Sequence, residues 1–355
     1  MLFLASAWFL LALTAEAGCA RSYTNYTSVG GYFLQDDPST NASTFSYIDT
    51  NFGLINRTYS MDPLEGSQSQ WEQFYLEVQR LNREAPKNID YKVLFIGRHG
   101  EGYHNAAEDY YGTPAWNCYW AELNGNATNT WNDALLDSNG VVQALEANAL
   151  WAKLINTQKI HTPDAFFVSP LSRCLQTVNL TFSTLNLDNF VPTIKENFRE
   201  SISIHTCDQR RNKTYIHNLV PSYHIEAGFT EHDELWNGVA AETNSAQDVR
   251  SRKALDDVLE TEHGLFISIT THSGEAASLL RVLNHQVFSL ATGAVIPVLV
   301  KAEKIVPTPT TSTQPWTASA HCTAPPLSSV TNGGACICPN SAAPVTTPLV
   351  PTTPP

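Results

Sequence analysis

The chain has 355 residues, 43% of them hydrophobic and 10% aromatic, enough to bury a large core in one or two domains. Its formal charge is -13, which argues against nucleic acid or an anionic membrane surface as a partner. A chain this acidic can handle anions only where it gathers cationic side chains locally.

The opening run MLFLASAWFLLALTAEA is apolar and closes in Ala15-Glu16-Ala17. That is a small-x-small cleavage pattern after an apolar stretch too short for an ordinary transmembrane span. A signal peptide over 1–17 is expected, hence a secreted product with no membrane contact after cleavage. Six Asn-x-Ser/Thr sequons, at Asn25, Asn41, Asn56, Asn126, Asn179 and Asn212, make N-glycans expected there. Seven cysteines remain after such a cleavage, from Cys19 to Cys338, so at least one thiol is free or pairs with another molecule. No spacing among them resembles a zinc site, and no metal or cofactor is expected.

Residues 18–66 are rich in Asn, Thr, Ser and Tyr without helical periodicity and read as an irregular arm on the domain surface. Trp71, Phe74, Tyr75, Val78 and Leu81 recur at helical spacing until Pro86. Residues 18–86 are therefore an arm and leading helix packed on a domain over 87–305. Within that domain, strands are expected at Val93–Ile96, Ala165–Val168, Pro192–Asn197, Leu265–Thr270 and Val295–Lys301. Helices are expected at 140–157, through Leu171, Leu175 and Val178, at Val249–Glu262 and at Ala276–Leu283. This alternation predicts an α/β three-layer sandwich, a mostly parallel central sheet flanked by helices. Residues 306–355 turn to Pro, Thr, Ser and Ala, a disordered, O-glycosylated stalk suited to cell-wall association.

Ligands of open α/β sheets bind beyond the carboxyl ends of the strands. Arg98 and His99 follow the first strand, Arg173 opens the helix after the second, and His272 follows the fourth. An arginine fork suits a phosphate, and a neutral imidazole can attack one. These groups at equivalent junctions point to one anion site.

The motifs around them resemble the phosphoglycerate mutase-like branch of the histidine phosphatase superfamily. Arg98-His99-Gly100-Glu101 with Asn105 is similar to its Arg-His-Gly-Glu opening. Leu136 to Ala144 is similar to its Leu-x-x-x-Gly-x-x-Gln-Ala helix start. Ser169 to Thr177 resembles its Ser-x-Leu-x-Arg-Ala-x-Gln-Thr, with Cys174 for Ala, and Thr271-His272-Ser273-Gly274 resembles the second histidine segment. The resemblance implies His99 as nucleophile, with Arg98, Arg173 and His272 on the phosphoryl oxygens. It implies Glu200 as proton donor, with Glu196 and Glu101 as rivals, and Asn105 as a further phosphate contact. His104 reads as a surface loop residue. The His205-Thr206-Cys207-Asp208 stretch resembles a subgroup motif, which makes Cys207 a packed thiol. It also offers Arg210 and Arg211 for a second anionic group of the substrate. The acidic cluster Glu231, Asp233 and Glu234 reads as a solvated loop.

The expected activity is hydrolysis of a small phosphate monoester through a phosphohistidine. The alternatives are a phosphoglycerate-type phosphomutase and a glycoprotein that only binds. Export disfavours the mutase, whose substrate and primer are intracellular. The intact Arg98, His99, Arg173 and His272 set disfavours loss of catalysis.

Overall fold

The computed structural model describes residues 23–59, 68–306, 312–326, 331–332 and 335–352. The expected leader at 1–17 and Cys19 lie outside the described residues. A seven-stranded sheet forms the centre, built from β1 (Tyr23–Ser28), β2 (Ile89–Arg98), β3 (Ala165–Val168), β4 (Thr193–Ile194), β5 (His224–Ile225), β6 (Phe266–Thr271) and β7 (Val295–Ile305), in the order β1-β7-β2-β6-β3-β4-β5. From β2 to β5 the neighbours are parallel, and Arg98 lies opposite Thr271 in the register of β2 with β6. The strand β7 runs antiparallel to β2 and to β1.

Both faces of β2 are apolar, so both must be covered. Val93 and Phe95 face a cluster holding Phe52, Trp71, Phe74, Trp151 and Phe266. Leu94 and Ile96 face Leu255, Val258, Ile267 and Leu279. The first face is covered by α1 (Gln70–Glu84), α4 (Ser138–Thr157), α5 (Ser172–Phe182) and α6 (Lys213–Leu219), the second by α7 (Asn244–Thr261) and α8 (Ser273–Val282). Each start is signalled locally. Ser69 and Glu72 form a reciprocal capping box on α1, and Asp137 Oδ1 accepts from Gly140 N at 2.9 Å on α4. The three-layer α/β architecture is thus as expected, and no described helix is long and apolar enough to cross a membrane.

Four expectations are corrected. The arm is part of the core: Tyr26 of β1 pairs with Ala302, and Tyr26, Phe33 and Phe52 are fully buried. An edge strand needs only one buried face, so its polar residues hid it. The polar loop after β2 is helical, as α2 (Tyr103–Tyr111) and α3 (Thr113–Cys118). The expected strand at Pro192–Asn197 shortens to Thr193–Ile194, followed by a 3-10 turn over Glu196–Phe198. Finally, the described parts of the tail are not free. Cys336 is disulfide-bonded to Cys118 and Cys322 to Cys338, and Cys322 N donates to Cys118 O at 2.8 Å. Thr317–Ala318 pairs with Ala240–Ala241. Composition alone cannot reveal a cross-link to residues two hundred positions away.

Candidate active site

The parallel register brings the ends of β2, β3 and β6 to one edge of the sheet. At the end of β2 the chain is fixed on both sides: His99 N donates to Thr271 O at 2.9 Å, and Gly293 N to His99 O at 2.8 Å. The next turn lies on the N-terminus of α4. A Cβ at Gly100 would fall 2.3 Å from Gly140 O, and one at Gly140 would fall 2.0 Å from Glu101 O, so only glycines permit the approach. Gln143 Oε1 accepts from Glu101 N at 2.7 Å, and Thr177 Oγ1 from Gly100 N at 3.0 Å. The Gly and Gln of the Leu136–Ala144 motif thereby hold the His99 turn.

His99 is buried, and its Nδ1 faces Gly100 O at 2.7 Å. A carbonyl only accepts, so Nδ1 carries the proton and Nε2 holds the lone pair. Arg173 Nε donates to that Nε2 at 3.2 Å. Burial, then the Arg173 and Arg98 charges, hold His99 well below the usual imidazole value. A neutral imidazole with Nε2 unprotonated is the form that can act as a nucleophile once Arg173 turns to the substrate.

A cleft of about 250 Å³ opens at this point, lined among others by Arg98, His99, Asn105, Arg173 and Glu200. Arg98 Nη1 donates to Leu290 O at 2.9 Å, while its buried Nε has no partner. His104 Nδ1 is likewise buried and unpartnered. Unpaired buried polar atoms are costly, and both residues line the cleft together with His99. Arg173 Nη1 donates to Cys207 O at 2.8 Å, and its Nη2 stands 4.0 Å from Asp208 Oδ1. Asp133 orients the start of α5, accepting from Ser172 N at 2.8 Å and Ser172 Oγ at 2.6 Å.

His272 is fully buried, with its ring centroid 5.0 Å from that of His99. Its Nε2 meets Ser169 Oγ at 2.7 Å, and burial holds the ring neutral, well below the usual value. Glu200 lines the cleft at the start of α8. Its Oε1 accepts from Ser201 N at 2.8 Å and Glu275 N at 3.0 Å, and its Oε2 from Gly274 N at 3.2 Å and Ser273 Oγ at 3.3 Å. Asn105 also lines the cleft, while its Oδ1 accepts from Gly102 N at 3.1 Å and so caps α2.

The rival carboxylates lie elsewhere. Glu196 is ion-paired with Arg199 and Arg210, and Glu101 accepts from Asn139 Nδ2 outside the cleft lining. Arg210 and Arg211 are not brought to His99. Arg210 is buried, donates to Glu196 Oε2 at 2.6 Å and to Thr230 O and His232 O, and lies over Phe229. Arg211 lies over Tyr215, 4.4 Å from the ring centroid. Arg210 is structural, because a buried guanidinium must find acceptors nearby, and half-buried Arg211 is stacked outside the cleft lining. Asp233 is not solvated either, since it receives both terminal nitrogens of Arg199 at 2.8 and 2.7 Å.

Sequence reasoning missed His104, Glu108, Trp116 and Asp208, all on the cleft. His104 had a signal, since it is five residues after His99 on what proves to be α2. Glu108 and Trp116 depend on α2 and α3 folding over the site, and Asp208 on the 3-10 turn over Thr206–Asp208. Cys207 is a buried free thiol as expected, and burial pushes it well above the usual thiol value. His205, Cys207 and Asp208 bring possible metal-ligand atoms within 4.8 Å of one another. The Arg173 guanidinium bonded to the same segment opposes a cation there.

Comparison with known proteins gives the family. The profile of the histidine phosphatase superfamily (branch 1) matches residues 94–292. The chain is 45% identical over 285 residues to "Probable phosphoglycerate mutase" of Arthroderma benhamiae, covering 79% of this chain and 85% of that protein. It is 37% identical over 284 residues to phosphomutase-like protein 3 of Candida albicans, covering 79% and 82%. Among solved structures, a mycobacterial glucosyl-3-phosphoglycerate phosphatase is similar with a TM-score of 0.36 at 15% identity, over 59% of this chain and 90% of its own. The chain belongs to the histidine phosphatase superfamily, in its phosphoglycerate mutase-like branch.

Proposed function

We propose that this protein is a secreted phosphomonoesterase working through a phosphohistidine. One observation carries the reading: His99 presents an unprotonated Nε2, hydrogen-bonded by Arg173, in a cleft that Arg98 and Glu200 also line. An entering phosphate monoester takes the Arg173 and Arg98 donors on its non-bridging oxygens, freeing Nε2. The Nε2–P bond forms as the P–O ester bond breaks, and Glu200 supplies the proton to the departing alkoxide. Water then attacks the phosphohistidine, Glu200 takes up its proton, and inorganic phosphate leaves with His99 restored. Asn105 and His104 line the cleft and steady the phosphoryl group, and His272 packs its ring beside that of His99.

The relatives' names point instead to phosphoglycerate mutation. Secretion argues for hydrolysis, because a mutase needs a primer held inside the cell. The leader and sequons support secretion, and so do two disulfides, which persist in oxidising compartments. Asn41, Asn56, Asn126 and Asn179 are exposed, as glycan acceptors must be. Phosphate release from p-nitrophenyl phosphate, with acid-labile phosphate on the wild-type protein and none on His99→Ala, is the expected result. Turnover that survives His99→Ala would sink the mechanism.

A further inference from the structure

Resting on the hydrolase reading, we infer that the cleft takes phosphate esters of uncharged, hydroxyl-bearing alcohols. Esters whose alcohol also carries a carboxylate or a second phosphate are disfavoured. The inference stands on the charges around the site. Among the described residues lining the cleft, the cationic side chains are Arg98 and Arg173 alone. Both converge on His99, where the phosphoryl group itself carries up to two negative charges. Glu108 lines the same cleft, with Glu200, the proton donor, and Asp208, which stands 4.0 Å from Arg173 Nη2 and whose carboxyl burial pushes up.

The imidazoles add no positive charge near neutrality. Burial holds His99 and His104 well below the usual value and brings His205 down to about 4. The nearby basic pair that could have met a second anion, Arg210 and Arg211, is turned to Glu196 and to the Tyr215 face. A second acid group on the alcohol would therefore face the Glu108 carboxylate with no further cation on the lining to meet it. The neutral part of the wall suits another occupant. Trp116 offers an apolar face, and Asn117, Ser201 and Ser203 offer amide and hydroxyl groups to hydroxyls of the alcohol.

Two probes isolate this point. Glycerol 3-phosphate and 3-phosphoglycerate have the same skeleton and differ in a hydroxymethyl group against a carboxylate. With the full chain, kcat/KM for the glycerol ester should exceed that for 3-phosphoglycerate by about tenfold or more. Glu108→Gln should narrow that ratio by roughly three- to tenfold, by raising turnover of the anionic ester. A ratio near one, a preference for 3-phosphoglycerate, or a ratio unmoved by Glu108→Gln overturns the inference and leaves the hydrolase reading standing. Turnover of p-nitrophenyl phosphate with neither glycerol ester overturns it as well. No phosphate from any of the three overturns the hydrolase reading, and the inference falls with it.

Discussion

Replacing Gly140 by alanine tests whether the packing of the His99 turn on α4 sets the catalytic geometry. The added Cβ would stand 2.0 Å from Glu101 O, 2.7 Å from Glu101 N and 2.8 Å from Glu101 C. Contacts of real Cβ atoms essentially never fall below 3.0 Å, so the two backbones must separate by about 1 Å. Neither side yields easily. Gln143 and Thr177 hold the turn by its amides, and Glu101 O accepts from Asp137 N at 3.1 Å. His99 lies two residues before Glu101, and a misplacement of about 1 Å can cost on the order of 10²-fold in rate. Overpacking costs about 1–3 kcal/mol, partly offset by the roughly 1 kcal/mol that alanine gains over glycine in a helix. The expected outcome is therefore a fall in kcat of about 10²-fold with at most a modest loss of stability. The assays are phosphate release and the urea midpoint. A variant with kcat within about threefold of wild type and unchanged stability would refute the role given to this contact.

Activity should persist on the acid side, because protonating Nε2 of His99 removes the nucleophile and burial with two arginines opposes that proton. The acid limb of kcat/KM is expected well below pH 6.5, and a limb centred there would contradict the environment described. Stability runs the other way. With His205 held to about 4, the folded state binds fewer protons than the unfolded chain between pH 6.5 and 4. Stability therefore falls with pH across that window, by up to about 3 kcal/mol from this residue. Urea titrations at pH 7 and pH 4.5 check the sign. Cys336→Ser should loosen α3, which carries Trp116 and Asn117 into the cleft and ends at Cys118. Stability should drop by about 2–4 kcal/mol and KM should rise more than kcat falls. An unchanged KM would mean that the tail does not hold that wall.

Much of the fold was legible because its elements carry local periodicities. The run Val93–Ile96 is apolar on both faces, which only a doubly covered strand requires. The leading helix announced itself through Trp71, Phe74, Val78 and Leu81 at helical spacing, and the structure adds the caps Ser69, Asp137 and Thr243, each bonded to the amide three residues on. The strand ends also gave the four main site residues, since a parallel sheet brings its carboxyl ends to one edge. The polar strand β1 escaped, because nothing within six residues reveals a partner at 300–305. Arg210 and Arg211 misled for a related reason. A basic pair next to a motif looks available for ligand, until the fold sets Glu196 and Tyr215 against it.

The sequence by itself determined the chemistry at the core of the site: an arginine–histidine pair, a second arginine and a second histidine at strand ends. Their order and local spacing are properties of the chain. The tertiary structure decided what that chemistry meets. It set His99 in the tautomer with Nε2 unprotonated, folded α2 over the site with His104 and Glu108, and bound the tail to α3 through Cys118 and Cys336. Burial, and contacts between residues far apart in the chain, fix charge state and pocket shape. Neither exists until the chain has closed around the site.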